Sequence, residues 1–231
     1  MFRLILICSI FFGCKNKEVP MIPGTNLSTD TGFTYLALGD SYTIGQSVPE
    51  SDRYPVQAAK LLRESGVAMA DPVIVARTGW TTDELNTGIQ EAGITGSTYD
   101  VVTLLIGVND QYRGRPVDAY KPGFTMLLQQ AIAFAGGHSD RVVVLSIPDW
   151  SKVPFAEGRD RDGISAEIDE YNNANRKIAK KMKVHYIDIT PGTLKAASDP
   201  SLVASDGLHY SGKEMAFWAH KLADTLKGIL H

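Results

Sequence analysis

Five short apolar runs, alternating with stretches of helical period, predict a three-layer α/β/α domain around a five-stranded parallel sheet. The runs are Thr34–Leu38, Val73–Ala76, Val101–Ile106, Val142–Ile147 and Val184–Ile189. Two of them, VVTLLI and VVVLSI, are nearly continuous in apolar residues, as strands buried on both faces must be. Strict alternation of strand and helix implies right-handed crossovers, with helices covering both sides of the sheet. Five strands fit a flavodoxin-like open sheet, which binds ligands beyond the carboxyl ends of its strands.

The helices have legible ends. Tyr120, Phe124, Leu127, Leu128, Ala131, Ile132 and Ala135 repeat at helical spacing, with Pro122 assigned to the first turn and Gly136-Gly137 ending the helix. Ile164, Ile168, Tyr171, Asn175, Ile178 and Met182 form the next stripe. Lys177, Lys180, Lys181 and Lys183 gather near its C-terminus, where cations complement the helix dipole; they read as a solvated helix end or as a basic patch. The last helix opens with Ser211 and Glu214 at capping-box spacing and buries Met215, Trp218, Ala219, Leu222, Leu226 and Ile229.

Composition bounds the rest. The chain has 231 residues, 44% of them hydrophobic, enough for one domain with a core that needs neither disulfide nor metal. A net charge of −3 gives no basic footprint for nucleic acid. Residues 1–14, MFRLILICSIFFGC, combine a positive start at Arg3 with an apolar run from Leu4 to Phe12 that is too short to span a bilayer. They read as an export signal. Both cysteines, Cys8 and Cys14, lie here, so the remaining chain forms no internal disulfide. The end of this run resembles a bacterial lipoprotein signal, with Phe11 and Phe12 where that pattern prefers smaller residues. The resemblance implies lipidation of Cys14 and a cell-envelope lipoprotein held to a membrane by its anchor; an ordinary cleaved signal is the alternative. Residues 15–33 are non-periodic and read as a tether, about 25 Å in root-mean-square span, leaving residues 34–231 as the domain.

The residues just past each strand carry the chemistry. Gly39-Asp40-Ser41 follows the first, Arg77-Thr78-Gly79-Trp80 the second, Gly107-Val108-Asn109-Asp110 the third and Pro148-Asp149-Trp150 the fourth, while Asp206-Gly207-Leu208-His209 precedes the last helix. A parallel sheet gathers these segments on one rim. A serine hydroxyl is too weakly acidic to attack an ester unaided, so an imidazole must take its proton. The imidazole in turn needs a carboxylate on its other nitrogen. Asp206 and His209, three residues apart, can share one side of a turn. The amides of Ser41 and Gly79 and the side-chain amide of Asn109 can bind the oxyanion, where each donor is worth ~10²–10³ in rate.

GDS at 39–41, Gly79, GVND at 107–110 and DGLH at 206–209 resemble, in order and spacing, the four sequence blocks of the GDSL (SGNH) serine hydrolases, across about 34–230. The resemblance implies the SGNH hydrolase fold and a carboxylic ester hydrolase that needs no cofactor. It assigns Ser41 as nucleophile and oxyanion donor, Gly79 and Asn109 as the other oxyanion donors, His209 as base and Asp206 as its orienting carboxylate. Tyr42 stands where many members carry leucine, a difference that bears on substrate. The substrate expected is a small ester, an acylated sugar or lipid; a thioesterase or lysophospholipase would use the same machinery. A silent glycan- or lipid-binding module would have lost one of these residues, and none is lost.

Other readings are simpler. Ser41 alone could cap a helix, and Asp40 and Asp110 read as loop-holding carboxylates. His138, His185, His220 and His231 lack ligand-like partners, so no metal site is expected. GLHYSGK at 207–213 imitates a phosphate loop until Glu214 replaces the required Ser or Thr, and the GxSxG elbow of the other large esterase fold is absent. Tyr42, Trp80, Tyr112, Arg113, Trp150 and Tyr210 either line a substrate groove or pack the rim. Residues 148–163, long, charged and glycine-containing, read as a mobile flap.

Overall fold

The computed structural model describes residues 32–230. The segments read as signal (1–14, with Cys14) and as most of the tether lie outside the described residues. Phe33, at the end of that tether, forms a parallel bridge with Met69.

The chain runs β1 (Tyr35–Gly39), α1 (Ser41–Ile44), α2 (Tyr54–Glu64), β2 (Val73–Ala76), α3 (Thr82–Glu91), β3 (Val101–Leu105), α4 (Val108–Tyr112) and α5 (Val117–Phe134). It continues through β4 (Val142–Leu145), α6 (Arg161–Lys181), β5 (His185–Ile187), α7 (Thr190–Thr193) and α8 (Gly212–Ile229). The five strands form one sheet in the order β2-β1-β3-β4-β5, every pair parallel. This is the flavodoxin-like order, and it places a switch point between β1 and β3. Helix α2 packs on α8, and α5 packs on both α3 and α6.

Burial follows position in the sheet. All residues of β1, β3 and β4 are buried, whereas the edge strands β2 and β5 each expose part of one face. The last three strands are shorter than their apolar runs, and beyond β4 and β5 side chains take over the backbone groups. The Ile147 N–H donates to Asn172 Oδ1 at 2.7 Å, and the Ile189 N–H to Ser146 Oγ at 2.8 Å. Val184 instead closes α6, donating to the Ala179 carbonyl at 3.0 Å.

Two helix-end expectations are corrected. Pro122 lies inside α5, because the helix begins at Val117, ahead of the apolar stripe. Lacking an N–H, it cannot bond the Asp118 carbonyl one turn back. The Ser211–Glu214 box does not form: Ser211 Oγ donates to the Ser201 carbonyl at 2.7 Å, and the buried Glu214 accepts from Trp218 Nε1 at 2.9 Å. A capping box forms instead at Thr81 and Glu84, which opens α3.

Gly39 shows why β1 ends as it does. A Cβ there would stand 2.1 Å from Thr43 Oγ1 and 2.5 Å from the Leu105 carbonyl oxygen. Only glycine lets α1 begin this close to β3, at the switch point.

Candidate active site

At the carboxyl ends of the strands lies a cavity of about 180 Å³, lined by Ser41, Tyr42, Thr78, Gly79, Val108, Asn109, Tyr112, Trp150, Phe155, Leu208 and His209. It brings together four of the five site residues named from the sequence; the fifth, Asp206, bonds to His209 from behind.

Ser41 is the first residue of α1 and is buried, with Asp40 as N-cap accepting the Tyr42 N–H at 3.0 Å. The cap is therefore the aspartate, which leaves the serine hydroxyl uncommitted. Gly79 sits in a turn at φ +85°, a left-handed conformation that costs other residues free energy. Its carbonyl accepts from Arg113 Nη2 at 2.7 Å, and Arg113 also pairs with Glu84 at 3.1 Å. That guanidinium, with further help from the Thr81 amide, holds the Glu84 carboxyl below its ordinary range. Asn109 Nδ2 donates one hydrogen to the Trp80 carbonyl at 2.9 Å, which fixes the amide plane and leaves its other hydrogen free. The Ser41 and Gly79 N–H groups enter no hydrogen bond among the described residues. Three residues that line the cavity, just past the ends of β1, β2 and β3, thus each keep an N–H with no partner among the described residues.

His209 Nδ1 lies 2.6 Å from Asp206 Oδ2. The same oxygen accepts from Ser47 Oγ at 2.6 Å, while Oδ1 accepts the Leu208 and His209 N–H groups at 2.9 Å each. Partial burial raises the Asp206 pKa, but the Ser47 and His209 hydrogen bonds and the two backbone amides outweigh it, and the carboxyl ends well below the ordinary range. An ionised Asp206 fixes the imidazole tautomer with the proton on Nδ1, so that Nε2 is the basic atom. No hydrogen bond joins His209 to Ser41 in this structure; such contacts commonly tighten only with substrate bound.

The candidate aromatic residues divide. Tyr42, Tyr112 and Trp150 line the cavity, and the Tyr42 ring meets the His209 ring edge-on at 5.6 Å between centroids. Trp80 packs against Gly88, Arg113 braces the Gly79 turn, and Tyr210 is buried, donating to the Asp149 carbonyl at 2.7 Å. Phe155, which sequence reasoning missed, completes a cluster with Tyr112 and Trp150, with centroids 5.6 to 6.2 Å apart. The Arg159 guanidinium lies 4.7 Å from the Phe155 ring centroid.

Of the segment 148–163, read as a flap, residues 148–156 form a packed wall, whereas residues 157–162 are exposed. Val153 and Ala156 are fully buried, Trp150 Nε1 donates to Gln111 Oε1 at 2.9 Å, and the Phe155 N–H donates to the Gly207 carbonyl at 2.9 Å. Two 3-10 turns, Trp150–Lys152 and Pro154–Ala156, satisfy its backbone locally. Its apolar residues have neither strand nor helix period, so patterning gave no signal of burial.

The model of the GDSL-like lipase/acylhydrolase family matches residues 37–214. The chain belongs to that family. It is a carboxylic ester hydrolase of the GDSL type, and solved structures share its fold at low identity. The psychrotrophic esterase EstA from Pseudoalteromonas sp. aligns with a TM-score of 0.64 at 18% identity, covering 85% of this chain and 98% of that one. The acetylxylan esterase Axe2 from Geobacillus stearothermophilus aligns at 0.65 and 19%, covering 84% and 94%. A lipolytic G-D-S-L protein from Veillonella parvula aligns at 0.58 and 17%, covering 84% and 96%. No curated protein matches the sequence.

Asp40 and Asp110 hold loops, as expected. Asp110 accepts from the Thr82 N–H at 2.9 Å and pairs with Arg115 at 2.9 Å. Asp40 is fully buried with Oδ2 unpartnered, and burial, reinforced by nearby Asp110 against the Tyr42 amide, pushes its pKa up to about 8. The folded chain therefore keeps a proton that the unfolded chain releases near 3.8, and stability falls as pH rises across that window. Asp40→Asn removes this dependence. The stability of the variant relative to wild type should rise from pH 4 to 8, by up to about 1.4 kcal/mol per pH unit, measured by denaturant titration at each pH. A difference that does not change with pH would contradict a neutral buried Asp40.

Proposed function

We propose that this GDSL hydrolase cleaves short-acyl carboxylic esters through an acyl-enzyme on Ser41. The observation that carries the reading is one cavity holding Ser41, three free N–H donors and the imidazole bonded to Asp206. Ser41 Oγ attacks the acyl carbon as His209 Nε2 takes its proton. The oxyanion accepts from the Ser41 and Gly79 backbone N–H groups and Asn109 Nδ2. His209 then protonates the departing alcohol, and the acyl group stays on Ser41. A water gives its proton to His209, attacks the acyl carbon and releases the acid, and His209 returns the proton to Ser41. Asp206 remains ionised throughout and stabilises the imidazolium.

Cavity size supports the acyl length. About 180 Å³ is below the ~300–1,000 Å³ of clefts that bury drug-sized ligands, and the walls are Tyr42, Val108, Tyr112, Trp150, Phe155 and Leu208. An acetyl or other short apolar acyl group fits such walls, and an acetylxylan esterase is among the proteins of similar fold. The exposed Tyr112 and Phe155 rings at the rim suit the face of a sugar on the alcohol side. In p-nitrophenyl ester assays from acetate to laurate, kcat/KM should be highest at acetate to butyrate. Ser41→Ala should lower kcat by about 10³-fold or more with the circular dichroism spectrum unchanged. An optimum at laurate would replace the short-acyl reading with a lipid-directed one, and near-wild-type activity in Ser41→Ala would remove the serine from the mechanism.

The same proposal places the enzyme outside the cytoplasm, in the bacterial cell envelope, exported by residues 1–14 and anchored to the membrane through a lipid on Cys14. The supports are the short apolar run, the single cysteine at its end and the unpatterned segment that follows. Radiolabelled palmitate should enter the wild-type chain in a bacterial host and not Cys14→Ser. Equal labelling of both would contradict the anchor.

A further inference from the structure

The proposed mechanism assigns nothing to the loop that follows α1, yet this loop touches three separate parts of the site. Gly45 and Gln46 both return their N–H groups to the carbonyl of Ser41, the latter at 2.9 Å. Gln46 Oε1 accepts from Thr78 Oγ1 at 2.6 Å, next to the Gly79 turn. Ser47 Oγ donates to Asp206 Oδ2 at 2.6 Å, across 159 residues of sequence.

We propose that Ser47 is a positioning residue for the acid–base pair, fixing the Asp206 carboxylate at a set distance from Ser41 through the loop that joins them. The inference rests on the roles proposed above for Asp206 and His209. Three features carry it. Ser47 donates to the oxygen that also holds His209 Nδ1, so its bond bears on the angle at which the carboxylate meets the ring. Ser47 stands at φ +65°, and only one other non-glycine among the described residues, Lys183, has positive φ. That conformation disfavours an L-residue, and here it brings the hydroxyl to Asp206. Finally, the loop is tied back to the carbonyl of Ser41 itself, so nucleophile and acid are referenced to one backbone segment. Ser47 is exposed, and a water could fill the same lone pair, but a water would not be tied to Ser41.

Paired substitutions separate the hydroxyl from the backbone. Ser47→Gly removes the hydroxyl and relaxes the left-handed position, whereas Ser47→Ala removes it and keeps the unfavourable conformation. With p-nitrophenyl acetate as substrate and Tm measured alongside, both variants should lose about 10-fold in kcat with KM within twofold, since small misplacements of reacting groups are costly. Ser47→Gly should do so with a Tm equal to or above wild type. Loss in Ser47→Ala alone would make the residue a backbone device and overturn the proposal. So would kcat within twofold of wild type in both variants, or a change confined to KM. Ser41→Ala run in parallel separates the two failures: if it stays active, the proposed chemistry is wrong, and if it is dead while Ser47→Gly is normal, only the positioning role is wrong.

Discussion

Everything at the rim depends on keeping Asp206 ionised and aimed. Its two oxygens accept four hydrogen bonds, from the amides of Leu208 and His209, the hydroxyl of Ser47 and the ring of His209. Against partial burial, these donors together hold the carboxyl well below the ordinary carboxylate range. That charge sets which imidazole nitrogen is basic, and the proposed proton transfers from Ser41 follow from it. Because the two amides belong to the residues just after Asp206, the turn at 206–209 holds its own carboxylate. The Phe155 amide, bonded to the Gly207 carbonyl, joins the cavity wall to this turn.

The second constraint is the switch point between β1 and β3. Gly39 lets α1 start beside the Leu105 carbonyl, and this delivers Ser41 to the cavity that Asn109 enters from the end of β3. Fold and site meet in this feature. The close approach comes at a cost, because Asp40, capping α1, is buried with one oxygen unpartnered and holds its proton to about pH 8. The site is thus flanked by two aspartates in opposite states, one saturated with donors and ionised, the other starved of them and neutral.

Much of this was legible in the sequence because its signals are local. Apolar runs gave all five strands, and the order of short motifs gave Ser41, Gly79, Asn109, Asp206 and His209, since a parallel sheet must bring such strand ends together. What was not legible depends on contacts between segments distant in sequence. Serine at 47 has no local signature, because both its backbone conformation and its partner 159 residues away are set by the tertiary fold. The wall at 148–156 carries no strand or helix pattern, yet Trp150, Val153 and Ala156 are buried by packing that follows no period. The spacing of Ser211 and Glu214 fits a capping box, but Glu214 is drawn into the core by Trp218. The same spacing at Thr81 and Glu84 does form the box, and spacing alone does not separate the two sites.

In the proposed mechanism Ser41 is the nucleophile that this arrangement activates. The most direct test is covalent trapping: incubate the protein with a fluorophosphonate and map the adduct by peptide mass spectrometry. One adduct per chain is expected, on the peptide that begins α1 and at Ser41. An adduct on another residue, or none while ester hydrolysis continues at its normal rate, would contradict that mechanism.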